Sequence, residues 1–134
     1  MDGAGQEGAS TVYQRLGGEE GVRALVERFY DLVDLDPRYA ELRAVHGASL
    51  GQAREKLFLF LCGWLGGPPL YVQRHGHPRL RARHLPFPIA TRERDQWLDC
   101  MAHALDDVAC PADLKPRLMD AFFQTADWRR NRDD

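Results

Sequence analysis

The chain has 134 residues, of which 44% are hydrophobic and 28% charged, the composition of a single globular domain; intrinsic disorder, collagen-like and low-complexity classes are excluded. A chain of this length buries about two thirds of the surface it exposes when unfolded, so it needs no disulfide staples. Its 20 acidic and 18 basic side chains leave a net charge of -2, which supplies no global attraction to nucleic acid or to an anionic membrane.

The Gly-rich, acidic stretch 1–10 lacks the basic-then-apolar order of a signal peptide and reads as a leader, and no apolar run approaches the roughly 18 residues of a transmembrane helix. A cytoplasmic protein is expected, with a domain over 11–127 and a polar C-terminal tail over 128–134. Cys62, Cys100 and Cys110 are too far apart for a Cys-x-x-Cys pair and read as free thiols in a reducing compartment, and the lack of Cys-x-x-Cys-His excludes covalently attached c-type haem. Thr11 to Leu16 predicts a short helical turn, stopped by Gly17 and Gly18, which can take the left-handed conformation of a helix end.

Val22, Leu25, Val26, Phe29, Tyr30 and Val33 follow the i, i+3, i+4, i+7 rhythm of one helix face. Asp36 and Pro37 predict an N-cap and first position of a short helix through Leu42. Ser49 with Gln52 three residues on reads as a capping box opening a central, buried helix through Leu57, Leu61, Trp64 and Leu65. Gly66, Gly67, Pro68 and Pro69 then break the helix, and an irregular basic loop is expected from Leu70 to Ala90. A second clean helical face follows with Trp97, Leu98, Met101, Ala104, Leu105 and Val108. Asp113 can cap a last helix that presents Leu118, Phe122 and Ala126 inward. No segment sustains strand alternation, so the fold expected is all-α, about four main helices packed on one another.

A loop of about 20 residues is uncommon inside a small domain and is usually functional or disordered. This one carries Leu70, Tyr71, Val72, Leu80, Leu85, Phe87 and Ile89, enough apolar side chain to pack down, which favours function. It also holds His75, His77 and His84 with Arg74, Arg79, Arg81 and Arg83. Three readings of that composition stay open: a solvated basic loop, a zinc site from the three histidines, or one histidine on haem iron with arginines neutralising the propionates. His103, on the charged side of its helix, reads as an ordinary hydrogen-bonding residue.

The runs Gly66-Gly67-Pro68, Gly76-His77-Pro78-Arg79-Leu80-Arg81-Ala82-Arg83-His84-Leu85-Pro86-Phe87-Pro88-Ile89 and Arg94-Asp95-Gln96-Trp97-Leu98-Asp99-Cys100-Met101, with the Leu16-Gly17-Gly18 hinge and the Phe29-Tyr30 pair, resemble the truncated haemoglobins, specifically their group II. The resemblance runs from about Tyr13 to Thr125. It implies a globin-like, two-over-two helical sandwich around a b-type haem, with His84 of the Arg-His-x-Pro-Phe motif as the proximal iron ligand. It further implies that Tyr30, His46 and Trp97 line the distal side, where hydrogen-bond donors stabilise negative charge on a diatomic ligand. Without it, Tyr30 and Trp97 read as core and His46 as an exposed loop residue.

By the same resemblance Leu57 is the apolar ceiling, Leu80 and Phe87 are proximal walls, and Ala53 stands where many globins carry a distal histidine or glutamine. Lys56, Tyr71 and Arg81 are the candidates to hold the propionates. Pro69, the leader and the Trp128-Arg129-Arg130 tail depart from the family pattern. The function implied is binding of dioxygen and other diatomic ligands, for redox chemistry such as nitric oxide detoxification or peroxidase-like reactions rather than bulk oxygen transport. No dinucleotide-binding glycine motif accompanies it, so a separate electron-donating reductase is implied. Two rivals are a haem-based gas sensor signalling through a partner, and a haem-free module gripping an anion with the arginines of residues 74–83. Neither nucleic acid nor membrane is expected as partner, and the chain is expected to be a monomer or weak homo-oligomer.

Overall fold

The computed structural model describes the backbone of residues 11–75 and 91–133, and the side chains of 11–74 and 91–125. Among the described residues there is no strand, so the all-α expectation holds. The α-helices are α1 (Val12–Arg15), α2 (Gly18–Leu35), α3 (Ala40–Ala44), α4 (Gly51–Trp64), α5 (Leu70–His75), α6 (Thr91–Asp107) and α7 (Leu114–Asp133), with a 3-10 turn at Pro37–Tyr39.

A reciprocal capping box starts α1: the Thr11 hydroxyl accepts from the Gln14 N–H at 3.1 Å, and the Gln14 side chain accepts from the Thr11 N–H at 3.0 Å. The chain then turns through Gly17 and Gly18 at φ 107° and 70°, a region that favours glycine. Close behind, a Cβ on Gly21 would lie 1.8 Å from the Leu16 carbonyl oxygen, so only glycine lets α1 fold back on α2.

The apolar stripe of α2 is buried as its periodicity predicts, from Val22 to Val33. Each such side chain contributes about 1.5–3 kcal/mol relative to exposure. α2 packs against both α4 and α6, and α6 packs in turn on α7. That arrangement makes α2 the shared wall of the core. Asp36 caps the 3-10 turn through the Arg38 N–H, with Pro37 at its first position, as expected.

Two local expectations fail. Ser49 and Gln52 form no capping box: the N-cap of α4 is Leu50, and the Ser49 hydroxyl accepts from the Gly51 N–H at 3.1 Å, a turn one residue ahead of the helix. The segment from Leu70 is also not irregular throughout, because 70–75 is helix α5, packed on α4. Pro68 and Pro69 start that helix; their carbonyls accept from Leu70 and Gln73, where their missing N–H groups cost nothing. Residues 76–90 lie outside the described set. The backbone of α7 continues as helix across the boundary expected at 127.

The three cysteines are free, Cys62 and Cys100 fully buried and Cys110 half-buried. The Cys100 thiol donates to the Phe29 carbonyl. No helix among the described residues is long and apolar enough to cross a membrane.

Candidate functional site

Helices α2 and α6, packed side by side, each bury one aromatic side chain that carries a polar atom unpartnered among the described residues. On α2, Tyr30 is fully buried, and its hydroxyl has no hydrogen-bond partner among the described residues. Burial pushes the phenol well above its ordinary pKa, so it stays protonated and can donate. On α6, Trp97 is 2% exposed, and its indole N–H likewise has no partner among the described residues. Phe29 stands between them, edge-on to Tyr30 at 4.9 Å between ring centroids and 5.3 Å from Trp97. On the far side of Trp97 lie Phe122 at 5.3 Å and, stacked on Phe122, Trp64.

His46, just beyond α3, joins this group. Its imidazole meets the Tyr30 ring edge-on at 5.7 Å between centroids, and its Nδ1 lies 3.0 Å from the Leu42 carbonyl oxygen. A carbonyl only accepts, so Nδ1 carries a hydrogen and the Nε2 of the neutral ring is an acceptor. Burial lowers the His46 pKa, opposed by the Leu42 hydrogen bond and aided by the Arg43 charge. Neutral His46 can therefore accept a hydrogen bond at Nε2, and can donate there only when protonated.

The remaining expected residues divide. Leu57 is buried at 3% exposure and Ala53 is half-buried on the same side of α4. Tyr71 is half-buried, edge-on to Phe60 at 6.0 Å, and Lys56 is exposed. His77, Arg79, Leu80, Arg81, Arg83, His84 and Phe87 lie outside the described residues, as does the His75 side chain. Arg74 is exposed and pairs with Glu55 at 3.5 Å. His103 is the hydrogen-bonding residue expected, its Nδ1 accepting from Arg38 at 3.0 Å. No three His, Cys, Asp or Glu side chains among the described residues could share a metal ion.

Sequence reasoning passed over three residues that shape the site. Phe29 was read only as core, although it touches both buried polar side chains. Arg54 on α4 binds Glu27, and binds Asp31 at 3.0 Å, with its guanidinium 6.0 Å from the Tyr30 ring centroid. Gln96 accepts from the Leu42 N–H at 3.0 Å and donates to Glu41 at 2.6 Å, pinning α3 to α6 one residue from Trp97. The i, i+4 spacing of Glu27 and Asp31 is a legible signal of one acidic helix face, but their partner on α4 is not local.

An open groove of about 400 Å³ lies between Glu19, Arg23, Phe58 and Leu70, on the face of α4 opposite Leu57; its ion-paired walls set it apart from the buried site. Buried polar groups are normally paired, and an unpaired donor costs about 1–3 kcal/mol. Two such donors on packed helices, flanked by the rings of Phe29, His46 and Phe122, fit an apolar planar group that brings a small polar ligand within their reach. Among the described residues neither donor has a protein acceptor.

An all-helical chain with two donors buried among aromatic rings, neither partnered among the described residues, is consistent with one class of protein, the globins. The chain belongs to the bacterial-like globin family, matched over residues 11–131, and within it to the group II two-on-two haemoglobins. It is 42% identical over 109 residues to the group 2 truncated haemoglobin YjbI of Bacillus subtilis, covering 81% of this chain and 80% of that one. Among solved structures, a group II two-on-two haemoglobin from Agrobacterium tumefaciens is 44% identical with a TM-score of 0.81, over 87% of this chain and 91% of that one. A cold-adapted truncated haemoglobin from Pseudoalteromonas haloplanktis is 43% identical with a TM-score of 0.84, over 91% and 98%. Membership implies haem and the binding of small gaseous ligands.

Proposed function

We propose that the chain holds a b-type haem through His84 and binds dioxygen and other diatomic ligands in the space fenced by Tyr30, His46, Leu57 and Trp97. The observation that carries this reading is the burial of the Tyr30 hydroxyl and the Trp97 indole N–H, on facing helices, with no protein partner among the described residues. Haem, when bound, supplies an iron that takes a diatomic ligand and exchanges electrons.

Tyr30 and Trp97 supply the donors, buried before any ligand arrives and packed on both sides of Phe29. His46 supplies an acceptor that can orient the Tyr30 hydroxyl while neutral. Leu80 and Phe87 serve as the opposite wall, and Lys56, Tyr71 and Arg81 as partners for the propionates. A pocket with two such donors retains its ligand, which suits redox chemistry such as nitric oxide detoxification or a peroxidase-like reaction better than bulk delivery. Electrons come from a separate reductase. A haem-free anion-binding module leaves the two buried donors without a purpose.

The test is the absorption spectrum of the purified chain after addition of hemin, in ferric, reduced and carbon monoxide forms, beside His84→Ala. A stoichiometric Soret band that the substitution abolishes is expected. Absence of haem uptake by the unsubstituted chain, or a band indifferent to His84, overturns the reading.

A further inference from the structure

The loop between α3 and α4 carries His46 but offers little packing of its own: Gly47, Ala48 and Ser49 are all exposed. What holds it is Arg43. Its Nε donates to Asp34 at 2.9 Å, one Nη to the Gly47 carbonyl at 2.9 Å and the other to the Ala48 carbonyl at 3.1 Å. The Arg43 carbonyl in turn accepts from the His46 N–H at 3.1 Å. Arg43 therefore brackets His46 on both sides along the chain. Asp34 lies one helical turn beyond Tyr30 on α2, so the same guanidinium joins the loop of one ring to the helix of the other.

We propose that Arg43 is a positioning residue for His46, its guanidinium strapping the 46–49 loop to Asp34 and so setting the edge-on contact between His46 and Tyr30. A half-exposed ion pair contributes little energy by itself. The argument rests instead on direction: a planar fork reaching one carboxylate and two successive carbonyls admits one loop geometry, which an ammonium on a flexible stem does not enforce. The consequence for a bound ligand rests on the function proposed above; the placement of His46 does not.

The experiment uses the full chain, loaded with haem, reduced and bound to carbon monoxide, with nitrogen-15 in its histidines. Imidazole nitrogen shifts report the His46 tautomer, and the carbon monoxide stretching bands report how many arrangements of the pocket coexist. Arg43→Gln and Arg43→Lys are expected to add a second His46 signal and a second stretching band, the minor population rising about threefold or more, as loss of a single net hydrogen bond gives. Asp34→Asn is expected to do the same to a smaller extent. Unchanged His46 shifts and a single stretching band in Arg43→Gln overturn the proposal, even if that variant melts at a lower temperature. If Arg43→Gln does not fold, Asp34→Asn decides by the same two signals. If the unsubstituted chain takes up no haem, the functional reading fails, and the nitrogen shifts of the haem-free chain still decide for or against Arg43.

Discussion

The Tyr30 ring meets the His46 imidazole edge-on, 5.7 Å between centroids and 85° between planes, yet the two come from different elements and play opposite hydrogen-bonding roles. Tyr30 keeps its proton because burial disfavours the phenolate. Neutral His46 has spent its ring hydrogen on the Leu42 carbonyl. A donor and an acceptor are thus buried on adjoining rings.

Tyr30→Phe should separate stability from ligand retention. The substitution removes a buried hydroxyl that has no partner among the described residues and leaves the ring contact with Phe29 intact. The haem-free chain is expected to gain about 1 kcal/mol, the cost of an unsatisfied buried polar group, read by chemical denaturation. Dioxygen release from the haem-loaded chain is expected to speed about tenfold or more, as one lost donor would give. A destabilised variant would mean that the hydroxyl has a structural partner after all.

Trp97→Phe tests the other donor, and its stability sign is opposite. The indole packs on both Phe29 and Phe122, so the smaller ring leaves a gap costing on the order of 1–3 kcal/mol. Ligand release should again speed, about tenfold. Unchanged dioxygen dissociation, measured by stopped-flow displacement, would reduce Trp97 to packing.

How much of this was legible in the sequence depended on whether the cause was local. The stripe from Val22 to Val33 and the Trp97 to Leu105 face follow from helical periodicity, and both are buried. The Thr11–Leu16 turn and the Asp36 cap follow from residue type. Ser49 failed because a hydroxyl can serve the Gly51 N–H as readily as a helix N3 position, and spacing does not distinguish them. Helix α5 was missed because the prolines at 68 and 69 were read as breakers, when they also suit a helix start. Arg43 and Arg54 could not be read at all: their partners Asp34, Glu27 and Asp31 lie on another helix and meet them only after packing. For Tyr30 and Trp97, burial was legible and the missing partner was not, since an unpaired donor is a property of the assembled core.

His46 should make stability depend on pH. Its folded-state pKa lies below the ordinary value of 6.5, chiefly because burial penalises the charged ring. The unfolded chain therefore takes up the proton first as pH falls. Stability is unaffected well above the unfolded value, declines as pH drops from about 6.5 toward the lower folded value, and levels off below it. The carboxylates of Asp36, Glu41 and Asp113, whose pKa values lie below their usual range, give up their contributions in a separate, more acidic window. Urea midpoints of the haem-free chain at a series of pH values should show the first decline, and His46→Gln should remove it. A slope that survives the substitution would place its origin elsewhere.

Gly21 tests how α1 is attached. A methyl group there would sit 1.8 Å from the Leu16 oxygen and 2.6 Å from its carbonyl carbon, both backbone atoms that no rotamer change can move aside. Gly21 is also inside a helix, where alanine is intrinsically favoured by about 1 kcal/mol. The steric effect must outweigh that gain: either α1 is lifted from α2, breaking the Tyr13 N–H to Leu65 carbonyl bond at 2.9 Å, or α2 frays at its start. Gly21→Ala is expected to lower stability by about 2 kcal/mol or more, in the range of overpacked sites, with faster amide exchange at Tyr13 ahead of any change at Tyr30. A stable variant with Tyr13 still protected would show that the chain closes around the methyl, and that the hinge at Gly17 and Gly18 alone sets the position of α1.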